Sequence, residues 1–434
     1  MRSRPAPGVA LVLAPLIPLL ALGLSSAGCA SSVCSKVRSD REAFTRRAAA
    51  PGPHLALAVP YATLSQSVQR SLTRLPQVRL PLPDLGPVDL GSLAVAIRSV
   101  AFRPAPAGSV GARVTVALTS QGKPVTALDL DAVIAPRLDP RAGSVRLQLG
   151  AEDLREVRPS LPPAERKRFA EFLLALVPGA ARALVGREQV EALADGFLKE
   201  VVGGRWPQIR DGLLQGTGDL VDVEIDLGDV PLTKIELKSG AADLELWAHA
   251  ALPAAALSAG TARPAGSDAR LVGLRMSGGV AAALANRAMA SGQIPDRYNR
   301  DGAPDPRGEL VAGVDWRAGE RPLKVHAWST EGTCARLSFG GTPQVAARGG
   351  QLAVDVRDGT LEEVTGSLRV RAAVWFSGLG RQTFAVSESV ADAIEFEILG
   401  VDYRASVVAA AVSRAGLEFS LALAEAPQPA TRRP

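Results

Sequence analysis

Alternation of apolar and polar residues at period two runs through most of this chain and first appears at Leu55-Ala56-Leu57-Ala58-Val59, which predicts a half-buried strand. At Tyr61 the period lengthens, and Leu64, Val68, Leu72 and Leu75 fall on one helical face before Pro76 stops it. Four alternating stretches follow, marked by Leu93, Val95 and Ile97, by Val114, Val116 and Leu118, by Leu128, Leu130 and Ile134, and by Val145, Leu147 and Leu149. After Pro162-Pro163 the spacing is helical again, with Phe169, Phe172, Leu173 and Leu176 between Glu165 and Val177. Val190, Leu193, Phe197 and Val201 continue it from Arg187 to Val202, and Trp206 to Leu214 is a third short helical segment. Strands then return: Val221, Val223, Ile225 and Leu227 oppose Asp222, Glu224 and Asp226, and pairs at Ile235/Leu237 and Leu244/Leu246 complete an antiparallel meander.

This organisation predicts one unit over residues 54–252. Residues 253–269, rich in Ala, Gly, Ser and Pro, read as a linker. A second β-rich unit is expected over 270–424, followed by a polar tail at 425–434. Its start, Leu271 to Met276 and then Val280, Leu284 and Ala288 before Pro295, repeats the strand-helix-proline order of Leu55 to Pro76 and hints at duplication. Strands are expected at Val325 to Trp328, Leu352 to Val356, Leu368 to Phe376, Phe396 to Ile398 and Leu417 to Leu423. Helices are allowed only at Ser387 to Ile394 and Ala405 to Val412.

Ahead of all this, Arg2 and Arg4 precede an apolar run from Val9 to Leu24 that Pro15 and Pro18 interrupt, too short for a permanent membrane helix. Ser26-Ala27-Gly28-Cys29 closes it and resembles the lipobox of bacterial lipoproteins, departing from that pattern at Ser26, where leucine is usual. The resemblance implies removal of residues 1–28, acylation of Cys29 and attachment to a membrane of the cell envelope through that residue; the periplasmic face of the outer membrane is expected, although Ala30 does not decide between inner and outer membrane. Multiple acyl chains on one cysteine suffice for stable anchoring at about 0.8 kcal/mol per buried CH₂. The alternatives are plain secretion with cleavage nearby, or acylation at Cys34, against which Val33 argues. Residues 29–53 carry Lys36, Arg38, Arg41, Arg46, Arg47 and then Pro51-Gly52-Pro53, and read as a flexible spacer.

Composition narrows the function. The net charge of +5 rests mostly on arginine, with only seven of the 49 basic residues being lysine, and aromatics make up 4% of the chain, so stacking surfaces for nucleic acid lack support. Cys34 and Cys334 could pair in an oxidising compartment, but spacing does not fix connectivity, and the simpler reading is two unrelated thiols. His54, His249 and His326 lie far apart without ligand spacing, and neither a His-Glu-x-x-His pair nor a Gly-x-Ser-x-Gly elbow occurs. Gly216-Thr217-Gly218 precedes a strand instead of opening a helix, so it is a turn. Asp296 to Gly308 has Arg297 and Gly308 where a calcium loop needs carboxylates, and reads as a solvated loop. Arg369 and Arg371 mark the wet side of an expected strand, with lipid phosphates as the other reading. No cofactor or metal is expected, and no enzymatic activity.

The order of elements, an acylated start, a strand, a helix with a leucine stripe, long alternating strands, further helices and a closing meander, resembles the tubular lipid-binding superfamily, which includes bactericidal permeability-increasing protein. The resemblance covers His54 to Leu252 well and Arg270 to Leu423 poorly. It implies an α+β fold in which a highly curved antiparallel sheet wraps around a long helix, Phe169 to Phe197, with a second, smaller β-rich unit. Leu64, Val68, Leu72, Phe169, Phe172, Leu173, Leu176, Val190, Leu193 and Phe197 would line an apolar tube. The implied role is an envelope lipoprotein that holds or ferries lipid, discriminating by apolar burial at about 25 cal/mol per Å². Two rivals are a filled-core scaffold that binds another envelope protein, and an envelope hydrolase built on Asp222, Glu224 and Asp226, whose alternation is also that of an ordinary solvated strand.

Overall fold

The computed structural model describes residues 27–48, 52–71, 78–81, 92–149, 153–176, 221–253, 255–257, 260, 262–292, 294–299, 303–317, 319–331, 333–348, 351–376, 384–390, 393–398, 401–413 and 415–426. Helix α1 (Ala27–Thr45) precedes β1 (Pro53–Pro60), which runs directly into α2 (Tyr61–Ser71). The strands β2 (Val78–Pro81), β3 (Ser92–Arg103), β4 (Val110–Ser120), β5 (Lys123–Ile134), β6 (Arg137–Leu149) and β7 (Leu154–Ser160) follow, then α3 (Pro163–Leu176), β8 (Val221–Ser239) and β9 (Asp243–Ala250). The second half starts as the first does, with β10 (Val272–Ser277) feeding α4 (Gly278–Ala290). It continues with β11 (Arg297–Tyr298), β12 (Leu310–Trp316), β13 (Leu323–Ser329), β14 (Ala335–Gly341), β15 (Pro343–Arg348), β16 (Gln351–Gly366), α5 (Leu368–Phe376), β17 (Phe384–Val390), β18 (Ala393–Ile398), β19 (Val401–Val412) and β20 (Gly416–Glu425).

These strands form three sheets, and the largest belongs to both halves. Its order is β18-β19-β20-β10-β1-β9-β8-β6, with β1 and β10 antiparallel at the centre in the register Leu57↔Leu274. Outward from that pair each half contributes its last two meander strands, β9 and β8 on one side, β20 and β19 on the other. The middle strands of each half build a separate antiparallel sheet, β2-β3-β4-β5-β7 in the first and β11-β12-β13-β14-β16-β15 in the second, with β17 on β16. Among the described residues each half thus begins with a strand that runs into a helix, and these two strands form the central pair.

The expected fold class is overturned. The chain is mostly strand, in antiparallel sheets, with short helices, and among the described residues no sheet wraps a long helix. Of the stripe read as one helix from Phe169 to Phe197, the described residues hold only the part up to Leu176, in α3. Its continuation, with Val190, Leu193, Phe197 and the Trp206 segment, lies outside the described residues, as does Gly216-Thr217-Gly218. The first strand of the second half, β10, pairs with β1 of the first.

Several local expectations change too. Leu368 to Phe376 is helix α5 and not a strand, whereas the described residues of Ser387 to Ile394, and Ala405 to Val412, belong to strands and not helices. Short apolar runs fit either period, and sheet partners decide the outcome. The expected linker is laid over the central sheet. Leu257 and Ala262 are buried against Ala56, Ala58 and Trp247, and the Leu257 N–H donates to Pro53 O at 2.7 Å. Arg263 fastens this segment with two bonds to Asp243, at 2.9 and 2.6 Å, and two to the carbonyls of Asp268 and Leu271, both at 2.9 Å. The close approach explains why the covered face of β1 is alanine and why position 273 is glycine, where a Cβ would come within 2.5 Å of Pro264.

Candidate functional site

In the first half's own sheet one face is apolar and the other wet. Pairings Val95↔Leu118, Ile97↔Val116, Val100↔Val114, Val116↔Leu128 and Ala112↔Ala132 put a continuous aliphatic layer on the inner side. On the outer side Arg113 and Arg103 both reach Asp131 Oδ1 at 3.0 Å, and Thr115 donates to Asp129 at 2.9 Å. Such one-sidedness follows from period-two alternation.

Two helices border this layer. Past the four residues of β2, the edge of β3 has no strand neighbour among the described residues, and α2 satisfies it with side chains. Gln69 Nε2 donates to Arg98 O at 2.6 Å, Gln69 Oε1 accepts from Val100 N at 3.2 Å, and Ser65 Oγ accepts from Phe102 N at 2.8 Å. Helix α3 is pinned to β5 by Glu165, whose carboxylate accepts from Ala127 N at 3.1 Å and from Thr126 Oγ1 at 3.3 Å. Its Phe169 is fully buried and stacks on Phe172 with ring centroids 6.4 Å apart.

The predicted lining residues separate accordingly. Leu64 and Val68 on α2, and Phe172 and Leu173 on α3, are only half-buried, as are Val100, Phe102 and Val114 on the sheet's inner face. Phe169 is instead core. Leu72, Val190, Leu193 and Phe197 lie outside the described residues, and Leu176 is the last residue of α3, its side chain not among those described.

The second half's sheet is different, because its outer face is covered. Helix α1, expected as a flexible spacer, lies across β13 and β14. Cys34 and Cys334 form a disulfide, so the reading of two unrelated thiols is wrong. Val37 is fully buried, and Phe44 packs on Trp328 and His326 at 4.9 and 5.6 Å between centroids. Gly313 makes room for it, since a Cβ there would sit 2.8 Å from the Phe44 ring. Arg38 donates to Thr330 O at 3.2 Å, Asp40 meets Arg336 at 3.5 Å, and Arg47 meets Asp315 at 2.7 Å. The sequence signal was present but weak: Val33, Val37 and Phe44 at helical spacing among charges. Cys29 falls in the first turns of α1.

Beneath α1 lie Asp315, His326 and Ser338, all buried. Ser338 Oγ is 2.9 Å from His326 Nδ1, while His326 Nε2 stands 3.9 Å from Asp315 Oδ2, beyond hydrogen-bond range. Burial pushes the Asp315 carboxyl up, but His326, Arg47 and Arg317 outweigh it and hold the group well below the usual carboxylate range. Phe44 lies over this group, and Ser338 also accepts from Arg336 at 3.1 Å, so the cluster is a buried polar core under α1 in which His326 Nε2 has no hydrogen-bond partner. His54 is buried against Ser277 at 3.3 Å and His249 stands 3.5 Å from Glu236, both structural settings. Tyr298, inside the expected solvated loop, is buried, which with Asp296 pushes its hydroxyl up to about 12. Among the described residues no group of His, Cys, Asp and Glu could hold a metal ion. Asp222, Glu224 and Asp226 alternate on β8 opposite Gln148, Arg146 and Ser144 of β6.

No protein-family profile and no curated protein matches the chain. Among solved structures, P47 from Clostridium botulinum A2 shares 8% identity at TM-score 0.41, over 85% of this chain and 96% of P47. P47 of Clostridium botulinum E1 shares 6% at TM-score 0.43, over 86% and 98%. A lipopolysaccharide binding protein shares 11% at TM-score 0.21, over 87% and 85%.

Proposed function

We propose that this protein is an envelope lipoprotein, held to a membrane through acylated Cys29, that carries an acyl-chain lipid against the apolar inner face of its first half. The observation that carries the reading is the set of large aliphatic and aromatic side chains left half-buried on elements bordering one apolar face: Val100, Phe102 and Val114 on the sheet, Leu64 and Val68 on α2, Phe172 and Leu173 on α3. A folded chain gains about 25 cal/mol for each Å² of apolar surface it removes from water, so such a layer favours an apolar occupant. The wet outer face, with its Arg103, Arg113 and Asp131 cluster, offers no comparable attraction to an acyl chain.

The test is native mass spectrometry on two forms. Protein purified without its anchor, as Cys29→Ser lacking residues 1–28, is expected to carry an excess mass that denaturation releases as diacyl lipid; a consistently bare mass overturns the lipid-carrying reading and leaves the filled-core scaffold. Intact protein from membranes is expected to begin at acylated Cys29, and a free N-terminus elsewhere overturns the anchor.

A further inference from the structure

The disulfide changes what an anchor at Cys29 does. Cys29 and Cys34 lie in one helix, so they are about 7.5 Å apart along its axis at 1.5 Å per residue. Cys34 is bonded to Cys334, the residue before β14, and past the end of α1 Arg47 pairs with Asp315 at 2.7 Å. Acyl chains on Cys29 would therefore enter the bilayer within about 1 nm of a fixed point on the second half, instead of at the end of a spacer.

That point has the surface a bilayer requires. Two large apolar side chains are exposed among the described residues, and the more exposed is Leu368, at 76%. It opens α5 beside this same end: Ser367 caps the helix by accepting from Val370 N at 3.3 Å, and Gly366 pairs with Ala335, the neighbour of Cys334. Lys36 on α1 and Arg371 on α5 are exposed close by, as is Arg38, which also donates to Thr330 O; Glu331 is an exposed carboxylate of the same end. A leucine flanked by cations matches the chemistry of a headgroup layer, apolar contact at the boundary and phosphate outside it.

We propose that the end of the second half formed by the Cys34–Cys334 bond and Leu368 rests on the bilayer that holds the anchor, with Leu368 in the headgroup region and Lys36 and Arg371 facing lipid phosphates. The inference rests on acylation of Cys29, and not on lipid carriage by the first half.

The experiment uses acylated full-length protein reconstituted in phosphatidylethanolamine/phosphatidylglycerol vesicles containing nitroxide-labelled lipid. An environment-sensitive fluorophore is placed on Leu368→Cys or, as the distant control, on Lys123→Cys at the tip of the β4–β5 hairpin in the first half. Acylation is checked first on the N-terminal peptide by mass. With Cys29 acylated, the probe at 368 is expected to be quenched several-fold more than the probe at 123, and Cys34→Ser with Cys334→Ser should shrink that difference. Equal quenching at the two positions, or none at 368, overturns the inference while leaving the anchor standing. An unmodified Cys29 overturns both.

Discussion

Gln69 and Asn286 occupy equivalent places in the two halves: each stands on the helix that follows a central strand, and each brackets the open edge of the next sheet with its carboxamide. Gln69 spans Arg98 O and Val100 N on β3, and Asn286 bonds both the carbonyl and the N–H of Val314 on β12 at 2.7 Å. Among the described residues the edge strand outside, β2 or β11, does not extend to these groups. The carboxamide carries a donor and an acceptor and so stands in for a strand.

Replacing Asn286 by Ala should therefore lower stability by about 1–3 kcal/mol, the range for leaving buried backbone partners unsatisfied. Gln69→Ala should cost less, about 1 kcal/mol, because water reaches its site. Asn286→Asp and Gln69→Glu keep the acceptor and lose the donor, so each should fall between its alanine variant and the parent. Urea midpoints at constant slope measure this, and an Asn286→Ala midpoint equal to the parent's would refute the role.

Loss of the disulfide should free α1. Cys34→Ser removes a crosslink across 300 residues, and such bonds typically contribute about 2–4 kcal/mol. The loss should appear as a lower unfolding midpoint. Early tryptic cleavage at Lys36, Arg38 and Arg41 should accompany it, while the first half keeps its digestion pattern. Unchanged protection of α1 would mean that Val37, Phe44 and the ion pairs hold the helix without help.

Asp315 gives that docking a pH dependence. Its carboxyl ionises at lower pH in the folded chain than the ordinary aspartate value of about 3.9 in the unfolded one. The contribution is therefore complete above about pH 5 and drains away as pH falls below about 4 toward the folded value. Acidification below pH 4 should weaken α1 docking and raising the pH from 5 to 8 should not. Asp315→Asn should cost about 1–3 kcal/mol at pH 7 and flatten the acid limb, since Arg47 and Arg317 lose a charged partner but stay partly solvated. Urea midpoints of both proteins from pH 7 to pH 3 decide it.

The sequence made the strands legible and left their assembly hidden, for a physical reason. Alternation such as Val114-Thr115-Val116 reports that one face is buried, but it is silent about which strand lies alongside, because pairing is set by backbone bonds common to all residues. That β1 would pair with β10, joining two supposed domains, could not be read from Leu55 to Val59. Small residues hold the clue to what covers β1: alanines 56 and 58 are its more buried face, because Leu257 and Ala262 of the 253–269 segment lie directly on them. Among the candidate site residues, Leu64, Val68, Phe172 and Leu173 were legible as helical stripes, and Phe169 in the same stripe is core. A stripe shows which residues share a face, and not how fully that face is covered. Cys34 and Cys334 were unpairable on paper because only the course of α1 brings them together.

Gly313 tests how tightly α1 is seated. A Cβ at this position would meet Phe44 at 2.8 Å and Trp328 at 2.9 Å, both ring atoms in packed contact. Gly313→Ala should cost about 1–3 kcal/mol, the usual penalty for overpacking, and Phe44→Leu in the same chain should recover part of it. A double-mutant cycle measures the coupling, and strictly additive losses would show that Phe44 does not occupy this site in solution.

The lipid-carrying reading stands or falls on the half-buried residues. Because Phe172 and Leu173 already expose part of their surface, Phe172→Ser with Leu173→Gln should destabilise the fold less than truncating the fully buried Phe169, which costs about 3–5 kcal/mol in a typical core. Their effect on an acyl chain should be larger, since the occupant loses apolar contact and gains polar groups that need water. The double variant should therefore purify folded by circular dichroism but depleted of the mass that native spectra of the parent carry. Phe169→Ala should instead lose stability and occupancy together. Equal lipid content in parent and double variant, both folded, would move the ligand away from α3 and the inner face of the first half.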